Sequence, residues 1–292
     1  MALLGNEFKD TNQTHVVRLW QAYKTVVAHN EISGSSLTSG AGRHALKLHG
    51  PQEVELVPEG SLGLVHRTQY VIVQLNTFGT SGPEPVGIGP QNSETDERLK
   101  DILVEKNNFL SNFGNSSGQL VQTSLSVWAR YVTVRNNVFN GTGSEKYYTA
   151  INVSRRGLEP TPLGVRVLNN TIYKMDVPEG YSELSGFALA AEDANIVIKN
   201  NLIQYPVVPN RILINDPGAT NTVQDHNVMT PDAGMIEPGN GDYRLAAGSL
   251  GVGAGTATLD SGSTPLPVFD DFLGNARTIP FDLGAYKYVA SP

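Results

Sequence analysis

An asparagine returns on the same beat eight times along this chain, inside a phrase of aliphatic residue, two variable positions, Asn, spacer and large apolar residue. The phrase reads LLGNEF, VAHNEI, VQLNTF, VEKNNF, VRNNVF, VLNNTI, IKNNLI and QDHNVM, and its aligned asparagines are Asn6, Asn30, Asn76, Asn107, Asn137, Asn170, Asn201 and Asn227. Self-similarity at a period of roughly 30 residues limits the chain to stacked or arrayed architectures. Helical repeats of that length need apolar stripes of period 3.6, and none is present. The segments alternate instead: YVTVRNNVF places Val132, Val134 and Asn136 on one side of a strand. Ahead of most phrases runs a second strand-like segment, such as HVVRLW, HALKLH, VGIG, VQTSLSVW, TAINVS, GFALAA and RILIND. The unit is therefore strand, turn, strand, asparagine turn and a return segment of variable length.

One such unit cannot bury its apolar face, whereas a stack of units buries a continuous one. Stacking in register sets equivalent positions about 4.8 Å apart. Asparagine at a bend tolerates a left-handed backbone, and its amide can donate to the amide of the next coil. The eight asparagines are expected to form such a ladder. The fold predicted is all-β: a single parallel β-helix of roughly eight coils over residues 1–239, with residues 240–292 as a C-terminal extension packing on the helix end. The first phrase begins at Leu3 and the opening MALLGNEFKD lacks a signal-peptide pattern. Either an upstream cap or upstream coils are accordingly expected to be missing, or the bare N-terminal edge is expected to form an edge-mediated homodimer.

Composition narrows the function classes. Charged residues make up 17 % of the chain, with 30 Gly and 17 Pro, a mix that suits loop-rich β structure. The net charge of −7 argues against nucleic acid, which wants a basic field. With no cysteine, thiolate nucleophiles, zinc–thiolate sites and disulfides are excluded. No apolar run reaches the roughly 18 residues of a membrane span.

The asparagine phrases resemble the right-handed parallel β-helix of the pectate-lyase-like superfamily. The C-terminal stretch also resembles the ending of secreted bacterial β-helix proteins, a D-x-x-G-x-x-R…D-x-G-A-Y-E-Y pattern. Asp271, Gly274, Arg277, Asp282, Gly284, Ala285, Tyr286 and Tyr288 match it, while Lys287 stands where Glu is usual. The resemblance implies a secreted or cell-surface protein whose ligand, a polysaccharide, lies along one face of the coil between loop walls.

Aligning HVVRLW with HALKLH stacks Arg18 on Lys47 and Trp20 on His49, with His15, Arg43 and His44 close by in sequence. The insertion from Gly50 to Gln69, carrying His66 and Arg67, is expected to wall this cluster. Arg155 and Arg156 follow a leading strand further up. β-Elimination on a uronate needs a cation for the carboxylate, a base for the α-proton and an acid for the leaving oxygen. Arg18, Lys47 and His49 are the candidate catalytic residues in those roles. Trp20, Arg43, His44, Arg67, Arg155 and Arg156 are candidate contacts to an acidic glycan. An acidic run of Glu94, Asp96, Glu97, Asp101 and Glu105 leaves calcium possible, against the alternative of a polar return loop. The Arg- and Asp-based signatures of pectate lyases, chondroitinase-like lyases and polygalacturonases are missing. Two readings therefore stand: a lyase acting on an acidic polysaccharide, and a non-catalytic surface, adhesin-like or phage-tail-like module that binds glycans or serves as a stalk.

Overall fold

The computed structural model describes residues 1–9, 11, 15–34, 44–50, 67–79, 84–89, 98–110, 121–141, 147–153, 162–176, 183–257 and 268–290. Three parallel sheets of 8, 8 and 7 strands run the length of the molecule. The first sheet takes Ala2–Leu4, Tyr23–Ala28, Thr68–Gln74, Leu99–Glu105, Arg130–Arg135, Arg166–Leu168, Val197–Lys199 and Val223–Asp225. The second takes the short strands that follow each asparagine, from Glu7–Phe8 to Val228–Thr230. The third takes Val17–Trp20, Leu46–His49, Val86–Ile88, Val121–Val127, Tyr147–Val153, Glu183–Ala188 and Asn210–Asn215. Each strand pairs with its counterpart one coil away, so the chain is an all-β parallel β-helix of eight coils.

The phrase explains the core directly. Its leading aliphatic residue forms an inward column on the first sheet: Val27, Val73, Val104, Val134, Val167 and Ile198 are in register. Its closing apolar residue forms another on the second sheet, where Phe78, Phe109 and Phe139 stack with centroids 5.0 and 4.4 Å apart. All of these side chains are buried, and each contributes about 1.5–3 kcal/mol through removal from water.

Between the two columns runs the ladder. Asn Nδ2 donates to Oδ1 of the next asparagine from Asn6 to Asn227 without interruption, at 2.8–3.1 Å. The backbone N–H of each rung bonds the same Oδ1, as Asn107 does to Asn137 at 2.9 Å. The left-handed turn, however, belongs to the residue before each rung: Gly5, His29, Leu75, Lys106, Asn136, Asn169, Asn200 and His226 all have positive φ. Asn136 therefore leaves the strand alternation that places Val132 and Val134 inward, and sits at the corner.

The extension packs on the coils beside the second sheet. Its described residues run along the side of the stack, over the outer face of the second sheet. Tyr243, Leu245, Leu283, Ala285 and Tyr286 form a second apolar cluster with the outward Val138 and Leu202. The corner asparagine that precedes the rung in three successive coils ties the extension down. Asn136 Nδ2 donates to Asp270 C=O (2.8 Å), Asn169 Nδ2 to Asp282 C=O (3.1 Å) and Asn200 Nδ2 to Thr256 C=O (2.7 Å). Arg277, nine-tenths buried, donates to Asn136 Oδ1 and to the carbonyls of Asp270, Asp282 and Gly284. Asp271 accepts the N–H groups of Leu273, Asn275 and Lys287. The C-terminal motif is thus a clasp that folds the extension on itself and onto the coils. Gly284, at φ +81°, has no room for a side chain, because a Cβ there would lie 2.6 Å from Thr171 Oγ1.

Candidate functional site on the third sheet

Alternation along Val17–Trp20 buries Val17 and Leu19 and turns Arg18 and Trp20 outward. In the next coil all four residues of Leu46–His49 are buried. Arg18 pairs in register with Lys47, and Trp20 with His49, so the four outward side chains share one patch. Burial of Lys47 and His49 arises from what lies over them. Arg18 Nε donates to His49 Nε2 at 2.8 Å, and His49 Nδ1 donates to Gly50 C=O at 2.8 Å. The Arg18 guanidinium also lies 5.5 Å from the Trp20 ring. Lys47 Nζ stands 4.8 Å from the Trp128 ring.

The third coil supplies the space. Val86 and Ile88 point into the core, while the outward positions of VGIG are Gly87 and Gly89. A Cβ at Gly87 would meet His44 Cε1 at 2.7 Å, and one at Gly89 would meet Trp128 Cε3 at 2.2 Å. The two glycines are the floor on which these rings lie. His44 also stacks on His15, with centroids 4.9 Å apart, and its Nδ1 donates to Glu84 C=O at 2.6 Å. Next in the Lys47–Gly87 column comes Ser126, whose Oγ is buried without a hydrogen bond among the described residues.

This geometry speaks to the roles expected for each residue. Burial, and then the neighbouring Arg18 charge, push His49 down from 6.5 to about 4. At neutral pH its imidazole is uncharged, with Nδ1–H on a carbonyl and Nε2 already accepting from Arg18. It carries no proton on the nitrogen that faces the patch, so the acid role does not fit it. Lys47, 5 % exposed, is held against an indole and not presented to solvent. Trp20 is 42 % exposed and Arg18 is exposed beside it. The Arg67 guanidinium lies 5.9 Å from the ring of Tyr23, at the corner where the first sheet begins. Arg43, Arg155 and Arg156 lie outside the described residues, as do His66, Glu94, Asp96 and Glu97.

Of the remaining acidic run, Asp101 accepts from Gln69 Nε2 at 2.5 Å and Glu105 pairs with Arg135 at 2.8 Å. Among the described residues no group of three or more His, Asp or Glu is placed to hold a metal ion. No helix among them is long and apolar enough to cross a membrane. Sequence reasoning missed Trp128 and the glycine pair as parts of the patch. The signal was the VGIG strand itself, since two glycines at outward positions imply a close approach from outside.

The sequence matches no known family model and no curated protein. Among solved structures it is similar to the crystal structure of PfbA, a surface adhesin of Streptococcus pneumoniae, at 16 % identity with a TM-score of 0.55. That match covers 79 % of this chain and 60 % of the other, so the chain spans less than two thirds of the protein it matches. A second structure of the Streptococcus pneumoniae surface protein and adhesin PfbA aligns at 13 % identity with a TM-score of 0.48, covering 78 % of this chain and 66 % of that one. At such identities the likeness is one of fold, and the fold shared is the parallel β-helix.

Proposed function

We propose that this protein is a non-catalytic β-helix module that binds an acidic glycan at a cell surface or outside the cell, using the outer face of the third sheet around Trp20 and Arg18. The observation that carries the reading is the state of the groups chemistry would need. A general base or acid must come within hydrogen-bond reach of the proton it moves. Lys47 is covered by Trp128, and both nitrogens of His49 are engaged. What reaches solvent is an indole with a guanidinium beside it, a pair suited to a sugar face and its carboxylate. Likeness in fold to a protein described as a surface adhesin supports the same direction. The lyase reading keeps one point in its favour, the adjacency of Arg18 and Lys47, and requires Lys47 to leave the indole and reach a uronate α-carbon.

The test is titration calorimetry with polygalacturonate, alginate and chondroitin sulfate, using neutral mannan as control. Wild-type protein is expected to bind at least one acidic polymer and Trp20→Ala to bind it about tenfold more weakly, a loss of ~1.4 kcal/mol. Equal binding by Trp20→Ala, or no binding of any glycan, overturns the assignment.

A further inference from the structure

A second surface continues from this patch around the corner into the first sheet. There the chain turns through another column of left-handed residues, with positive φ at Lys24, Tyr70, Asp101, Tyr131, Gly164, Asn195 and Asn221. Gly and Asn tolerate such a backbone, whereas a bulky residue there is an outlier that needs a reason. Two of the seven are tyrosines, and both face solvent: Tyr70 is 50 % exposed and Tyr131 37 %. Burial therefore does not explain them. Tyr131 lies over the bare Cα of Gly164, where a Cβ would come within 2.8 Å of its ring. Tyr23, one coil below Tyr70, meets its ring edge-on at 5.7 Å.

Cations line the same corner. Lys24 Nζ and Arg67 Cζ lie 5.5 and 5.9 Å from the Tyr23 ring. Lys100 and Arg130 stand in register on the neighbouring column, above Tyr23 and the neutral Gln69. Against them stands the carboxylate of Asp101, already bonded to Gln69. In a chain of net charge −7 this is a local basic stripe interleaved with exposed rings. Tyr70 and Tyr131 are two coils apart, about 9.6 Å at the parallel-strand spacing. That step is close to one disaccharide of an extended glycan, so both rings can meet sugar faces of one chain. Thr68 Oγ1, at the start of the same corner, bonds His49 C=O at 2.7 Å and joins this stripe to the Trp20 patch.

We propose that the corner around Tyr23, Tyr70 and Tyr131, with Lys24, Arg67, Lys100 and Arg130, is an extended subsite for an acidic polysaccharide that runs parallel to the helix axis. The proposal rests on the reading of the protein as a glycan-binding module, and the two are separable by experiment. The double variant Tyr70→Gly/Tyr131→Gly removes both rings while easing the left-handed backbone, so the coils are expected to melt no lower than wild type. Binding of polygalacturonate and alginate by that variant is expected to fall at least tenfold, and hexasaccharides to lose more affinity than disaccharides. Lys100→Ala is expected to weaken acidic polymers severalfold and to flatten the salt dependence of binding. Glycan binding that Trp20→Ala weakens but the tyrosine double variant does not would leave the module reading standing and overturn the corner subsite. A double variant that melts well below wild type would show the rings to be structural and overturn it too.

Discussion

Each rung asparagine is used in several directions at once. Asn137 takes two bonds from Asn107 on its Oδ1, and its Nδ2 donates to Asn170 Oδ1, Val104 C=O and Arg135 C=O. All of these groups are removed from water, where an unmade bond costs about 1–3 kcal/mol. That is why the position admits no other residue of similar size: an aspartate would lose the donor and a leucine would lose everything. The residue before the rung faces a different demand, a positive φ, and Gly5, three asparagines, His29, Leu75, Lys106 and His226 answer it with varying ease. His49 is the site residue whose titration the fold alters most clearly. Its depressed value near 4 means that the folded state resists a proton the unfolded chain accepts at about 6.5. Its contribution to stability is therefore full above pH 6.5 and is lost as pH falls toward 4, by ~1.4 kcal/mol per unit. Urea unfolding at pH 7.5 and pH 5 should show wild type losing more stability between the two than His49→Gln does. An equal loss in both would mean that His49 is not held neutral by its surroundings. Asp193 has the opposite slope, because burial raises it to about 7, and its presence in both proteins cancels from that comparison.

At the scale of elements, the coils and the extension are joined through corner asparagines and a second apolar cluster, apart from the main core. Arg277 donates into four acceptors contributed by Asn136, Asp270, Asp282 and Gly284, so its removal strands several buried groups together. Arg277→Ala should destabilise the extension by on the order of 3 kcal/mol. Hydrogen exchange should then quicken over residues 268–290 and in the outer second sheet, with the rungs Asn76 and Asn107 still protected. Uniform loss of protection across all coils would contradict a locally docked extension. These joints also mark what the sequence could and could not reveal. The rungs were legible because the pattern is periodic and each partner sits one repeat away. The doublet asparagines Asn136, Asn169 and Asn200 looked like more of the same, because their partners in the extension lie 134, 113 and 56 residues away with no periodic signal.

For the whole molecule, a rigid stack converts a strand pattern into a ruled surface, so the neighbours of a residue are set by the coil count. The adjacency of Arg18 and Lys47 follows from alternation and could be read from two aligned segments. The burial of Lys47 could not, because the indole of Trp128 that lies against it comes from two coils away, over the gap left by Gly89. The corner tyrosines escaped notice for a related reason: Tyr70 and Tyr131 sit inside runs that look like ordinary alternating strand, and the positive φ that sets them at a corner leaves no mark in the pattern. Under the proposed function, this surface holds a glycan and leaves it intact. The direct test follows ultraviolet absorbance of the unsaturated uronate that β-elimination releases, with wild-type protein on polygalacturonate, alginate and chondroitin sulfate, with and without calcium. The prediction is a flat trace with every polymer, including those that calorimetry shows to be bound. A rise in absorbance that disappears in a folded Lys47→Ala variant would contradict the account and make this face a lyase active site.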